Sequence, residues 1–74
     1  MMTQTIGRKL RQFRQKKGYS QETLADRAGL HPTYIGQVER GEKNITVETL
    51  AKITTALGIP ISSVFDDVLS NPMP

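Results

Sequence analysis

The sequence predicts an all-α domain of five short helices, two of them forming a helix-turn-helix, and three observations carry that prediction. Apolar residues recur at three- and four-residue spacing along most of the chain. Glycines and a proline interrupt the pattern at helix-sized intervals. Residues 21–40, QETLADRAGLHPTYIGQVER, fit only two short helices held at a fixed angle. In that stretch Ala25 leaves a small surface where a second helix can cross closely. Gly29 supplies the left-handed backbone that ends the first helix, and Ile35 anchors the second in the interior.

The first helix is placed at about Thr5 to Lys17, with Ile6, Leu10 and Phe13 on its apolar side, Thr5 as cap and Gly18 as stop; residues 1–4 are read as a flexible N-terminus. Ser20 caps the second, Gln21 to Ala28, which buries Leu24, Ala25 and Ala28. Pro32 suits the first position of the third helix and forces His31 out of helical geometry, so that helix runs from Pro32 to about Arg40, with Gly41 closing it. Thr46 caps a fourth helix, Val47 to Leu57, whose inner side carries Leu50, Ile53, Ala56 and Leu57 before Gly58 and Pro60 end it. A short fifth helix begins at Ser62 and contains Val64, Phe65, Val68 and Leu69; residues 70–74, with two prolines, form a flexible tail.

A chain of 74 residues accommodates one domain with one small core, here residues 5–69. With no cysteine and a single histidine, neither a disulfide nor a zinc site can be assembled, and no cofactor or metal is called for. No apolar run approaches the roughly 18 residues of a membrane span, and no secretory hydrophobic region opens the chain, so a cytoplasmic location is expected. Catalysis is not expected either, because Asp66 and Asp67 point to different sides of a helix and there is no nucleophile elbow. The net charge of +3 is unevenly spread: the first 21 residues hold Arg8, Lys9, Arg11, Arg14, Lys16 and Lys17 and no acid. That asymmetry suits a polyanion, although these cations do not line up as one stripe on a helix.

The third helix turns Ile35, Val38 and Glu39 inward and leaves Thr33, Gly36, Gln37 and Arg40 on the other side. In helix-turn-helix spacing that outward side points to the major groove of DNA. Thr33 can touch a thymine methyl or bond an acceptor, and Gln37 can pair with adenine through two hydrogen bonds or donate to guanine. Gly36 lies among them, at a cost of about 1 kcal/mol of helix propensity, through either close approach to the groove or simple tolerance. Arg40, Lys43 and Asn44 are placed to grip a phosphate strand. Tyr34 can reach a phosphate or sugar edge, or pack its ring on the core margin, and His31 can touch the backbone or only mark the geometry Pro32 imposes.

The order SQETLADRAGL, TYIGQVERG, ETLAKITTALGI resembles the Cro and lambda-repressor-like family of helix-turn-helix domains from about Ile6 to Val68, with Ser20, Gln21, Leu24, Ala25, Gly29, Ile35, Glu39, Gly41, Leu50 and Leu57 falling into place together. The resemblance implies five helices, binding of double-stranded DNA through the third, and usually a dimer. It places Gln21 at a phosphate-holding position, helped by the helix N-terminus, and an internal ion pair at Arg14 and Glu39. The run GLHPTYIGQVERGEKNIT is most similar to the small controller proteins of restriction-modification systems. Those commonly carry a basic residue where this chain has Pro32, so its base contact there differs from theirs.

Apolar surface at Ile59, Ile61, Val64, Val68 and Leu69 exceeds what a short terminal helix needs to close a core and is read as a homodimer interface, with Phe65 and Ile61 also available to the domain's own core. The expected function is a dimeric, sequence-specific transcriptional regulator on a near-palindromic operator. The controller of a restriction-modification operon is one form of it. An antitoxin-type autorepressor and a helical protein-interaction module without DNA binding are the alternatives. RNA polymerase is a possible further partner, and no small-molecule effector is implied.

Overall fold

The computed structural model describes residues 2–65. Four α-helices follow one another, α1 (Met2–Lys17), α2 (Gln21–Ala28), α3 (Pro32–Glu39) and α4 (Val47–Leu57), and a 3-10 helix spans Ile61–Phe65. The expected fifth α-helix is therefore a 3-10 turn over its described part. Pro60 removes a backbone donor just before it, two serines compete for backbone bonds, and Ser63 N–H reaches back to the Pro60 carbonyl at 3.0 Å. Val68, Leu69 and the tail lie outside the described residues.

The first helix also departs from expectation. It begins at Met2, so Met2 to Gln4 form its first turn instead of a loose arm, and Thr5 lies within the helix instead of capping it. Two contacts hold that turn down. Gln4 packs against the backbone of Gly41, and Thr3 Oγ1 donates to Asn44 Oδ1 at 3.5 Å, so the loop after α3 serves as a seat for the start of the chain.

Ile6, Leu10, Leu24, Ala25, Ile35, Val38, Leu50, Ile53, Leu57 and Val64 form one buried core. Helix α1 lies across α3 and α4, α2 across α3 and α4, and the 3-10 helix closes the end formed by α1 and α4. Val64 is only 1 % exposed, so its assignment to a dimer interface is corrected: it is consumed by its own core. Ile59, Ile61 and Phe65 are half-buried and pack against the same core. One interior polar residue, Thr54, donates from Oγ1 to the Ala51 carbonyl at 3.2 Å, which removes the penalty of its burial.

The crossing of α1 over α3 rests on Gly7. A Cβ placed there would lie 2.2 Å from the Val38 carbonyl oxygen and 2.8 Å from that of Glu39. Only a residue without a side chain lets the first helix settle on the carbonyl end of α3. Sequence periodicity gave no hint of this contact.

The same backbone device stops α1, α2, α3 and α4. At α2, Gly29 takes φ 70°, its N–H bonds to the Asp26 carbonyl at 3.3 Å, and Leu30 N–H bonds to the Ala25 carbonyl at 2.8 Å. This pair of bonds satisfies the last carbonyls of the helix, and an apolar residue after the glycine normally folds back on the core. Tyr19, Leu30 and Ile59 do so after α1, α2 and α4. The residue in the corresponding place after α3 is Glu42, whose N–H bonds to the Gln37 carbonyl at 2.9 Å while its side chain stays exposed.

Candidate nucleic-acid interface

Helix α3 is positioned by its two inner residues. Ile35 and Val38 are 1 % and 2 % exposed, and their burial fixes the rotation of the helix about its axis. With those two inside, Thr33 is exposed and Gln37 is half-exposed. Helix α2 is locked to α3 by Ala25, which is completely buried, and by the Gly29–Leu30 turn. Ser20 caps α2, its hydroxyl accepting from Thr23 N–H at 3.0 Å.

His31 does more at the start of α3 than its neighbour's geometry requires. Its backbone is extended, and its ring Nδ1 accepts from Thr33 N–H at 3.1 Å, so it is the N-cap. The acceptor role assigns the ring proton to Nε2, on the outer side of the imidazole. Pro32 is half-buried at the first helical position.

The interior polar cluster joins three helices. Arg14 Nε donates to Glu39 Oε2 at 2.6 Å and Arg14 Nη2 to Glu39 Oε1 at 3.0 Å, while Arg14 Nη1 caps the Tyr19 carbonyl at 2.8 Å. Gln21 Nε2 donates to the same Glu39 Oε1 at 3.1 Å. The two charged side chains are 11 % and 3 % exposed. No buried side-chain nitrogen or oxygen among the described residues lacks a partner. The carboxylate thus fixes the end of α1, the beginning of α2 and the end of α3 relative to one another.

Gly36 is not on the open side of α3 as expected; it is buried. A Cβ there would meet Arg40 Nη1 at 3.1 Å and Gln21 Oε1 at 3.4 Å. Its missing side chain leaves a notch that the Gln21 amide and the Arg40 guanidinium both approach. Two residues read separately from the sequence as phosphate contacts are thereby brought to one place. Arg40 is further held by Glu42, Nε to Oε2 at 2.8 Å and Nη2 to Oε1 at 3.2 Å, an exposed pair that helical periodicity does not indicate. Its hydrogen bonds hold the Glu42 carboxyl below its ordinary range and raise the Arg40 guanidinium further. Lys43 and Asn44 are exposed beyond it. Tyr34 is half-buried and packs against the core, which favours the margin-packing alternative for its ring.

Among the described residues no helix is long and apolar enough to cross a membrane, and no group of three or more metal-ligating side chains comes together. An open groove of about 370 Å³ between α2 and α4 is lined by Arg27, Ala28, Ala51, Lys52, Thr55 and Ala56, away from the α3 residues described above.

Residues 10–64 match the family model described as helix-turn-helix. The control protein C.BamHI of Bacillus amyloliquefaciens is 43% identical over 62 residues, covering 82% of this chain and 76% of that protein. Among solved structures, the restriction-modification controller protein C.AhdI of Aeromonas hydrophila superposes with a TM-score of 0.84 at 43% identity, over 85% of this chain and 96% of that one. The controller C.Esp1396I, solved as a tetramer in complex with its natural 35 base-pair operator, superposes with a TM-score of 0.85 at 27% identity, over 95% of this chain and 92% of that one.

Proposed function

We propose that this chain, which belongs to the helix-turn-helix family, is a sequence-specific DNA-binding transcriptional regulator that acts as a homodimer on a near-palindromic operator. The observation that carries the reading is the rotation of α3: Ile35 and Val38 are in the core while Thr33 and Gln37 face outward, beside the notch that Gln21 and Arg40 approach. In this assignment Thr33 and Gln37 contact base edges, with Pro32 adding an apolar contact at the groove edge. Gln21, Arg40, Lys43 and Asn44 hold phosphates, and the outward Nε2–H of His31 donates to the same strand. Tyr34 contributes chiefly packing. Gly36 serves the interface indirectly, through the room it leaves.

The controller of a restriction-modification operon is the specific role we favour, because the similarity to C.BamHI and C.AhdI extends over most of the length of each. Such a protein is a binding module and not an enzyme, and works in the cytoplasm where its operator is. Dimerisation uses the half-buried apolar edge of Ile59, Ile61 and Phe65, with Val68 and Leu69 beyond the described residues. It would set two α3 helices about 34 Å apart on one side of the duplex.

Two substitutions divide the proposed contacts. Gln37→Ala is expected to flatten preference at one base pair per half-site, a loss of about 1 to 3 kcal/mol in discrimination, measured by competition among operator variants. Unchanged discrimination would remove Gln37 from the base-reading set. Lys43→Ala is expected to weaken binding to every sequence alike and to make the log–log salt dependence shallower by about 0.9 per half-site. A salt titration with an unchanged slope would show that Lys43 touches no phosphate.

A further inference from the structure

The geometry points to Glu42 as a built-in competitor of the DNA backbone: we propose that its carboxylate occupies the guanidinium edge of Arg40 that a phosphate would otherwise take, and so holds down the affinity for DNA. The inference rests on the DNA-binding reading above and concerns how tightly, not what, the protein binds.

Three observations support it. First, the contact is two-pronged. Arg40 gives Nε to one carboxylate oxygen at 2.8 Å and Nη2 to the other at 3.2 Å, the fork by which arginine also takes a phosphate. The remaining nitrogen, Nη1, faces the Gly36 notch beside the Gln21 amide. A phosphate must therefore displace Glu42 or sit close to its charge. Second, the backbone of Glu42 is fixed. Its N–H is bonded to the Gln37 carbonyl at 2.9 Å as part of the stop of α3, so the base of its side chain is held within reach of Arg40. Third, Glu42 serves no packing purpose. After α1, α2 and α4 the corresponding residues are Tyr19, Leu30 and Ile59, which fold onto the core, whereas Glu42 is more than half exposed, as is Arg40. An exposed pair of this kind adds little to stability and can be opened by a competing anion.

The test measures affinity for a mixed-sequence duplex from about 50 to 200 mM salt for the wild type, Glu42→Gln, Arg40→Ala and the double variant. Both side chains lie at the surface, and unchanged thermal melting of each variant checks the fold. Glu42→Gln is expected to bind about two- to fivefold more tightly per Arg40 engaged, the equivalent of an exposed ion pair no longer broken, with a steeper salt slope. In the Arg40→Ala background the same change is expected to gain almost nothing. An equal gain in both backgrounds would mean that Glu42 acts only as a distant negative charge, and overturns the proposal. Weaker binding by Glu42→Gln overturns it in the other direction, making Glu42 a support that aims Arg40. If the wild type and every variant fail to bind duplex even at the lowest salt, the DNA-binding reading itself falls; binding that is indifferent to Glu42 removes only the competitor.

Discussion

Replacing Gly7 with alanine is expected to destabilise the domain by about 3 kcal/mol, which for a chain of this size lowers Tm by roughly 12 to 24 °C. The added methyl would be driven to 2.2 Å from the Val38 carbonyl oxygen and 2.8 Å from that of Glu39. Both obstacles are backbone, so no rotamer change can make room. Helix α1 must lift from α3, and in lifting it loosens Ile6 and Leu10, which lie on either side of Gly7 in the core. The gain in helix propensity from glycine to alanine, up to about 1 kcal/mol, acts in the opposite direction and is too small to compensate. Thermal unfolding followed by circular dichroism checks the result. A melting temperature within a degree or two of the wild type would mean that the two helices can separate freely, and that the close crossing is incidental.

Removing Glu39 is the second large effect. Glu39→Ala leaves Arg14, 11 % exposed, with a buried charge and no acid partner, a situation that costs about 3 to 5 kcal/mol. It also takes away the acceptor of Gln21 Nε2, freeing the amide at the start of α2. Stability and DNA affinity are therefore expected to fall together. A paired replacement, Arg14→Met with Glu39→Leu, separates the two losses. Apolar groups of similar volume make a buried ion pair dispensable for stability, so most of the denaturation midpoint should return. The Gln21 amide still has no anchor, and the DNA affinity should stay low. If affinity returned along with stability, the carboxylate would have no part in orienting Gln21.

How far the sequence revealed this arrangement depended on the range of the physical cause. Helical periodicity is local, and Leu10, Leu24, Ile35, Leu50, Ile53 and Leu57 are inside as their spacing required. The glycine stops were equally legible, because a left-handed residue followed by a return hydrogen bond is a property of six consecutive residues. The contacts that depend on two distant segments were not legible. Gly7 against the α3 carbonyls, Gln4 against Gly41 and the burial of Gly36 under Gln21 and Arg40 each involve a glycine whose single-residue signal is only flexibility. The start of α1 is hidden from local sequence for the same reason: residues 2–4 are helical and touch a loop some forty positions away. Of the candidate site, the outward positions of Thr33 and Gln37 could be read from the helix period, whereas the partnership of Arg40 with Glu42 could not. Opposite charges two residues apart meet only when the helix ends between them, and the side chains then choose among several neighbours.

The rotation of α3 has a consequence for how such a protein can diversify. Along eight residues, Ile35, Val38 and Glu39 carry the attachment to the rest of the domain, while neither Thr33 nor Gln37 is among the buried residues. Exchanges at exposed positions of this sort usually shift stability by no more than about 0.5 kcal/mol. The two outward residues can therefore be rewritten with little cost to the scaffold, and under the proposed base-reading role a lineage could acquire a new target sequence in one or two steps without passing through an unfolded ancestor.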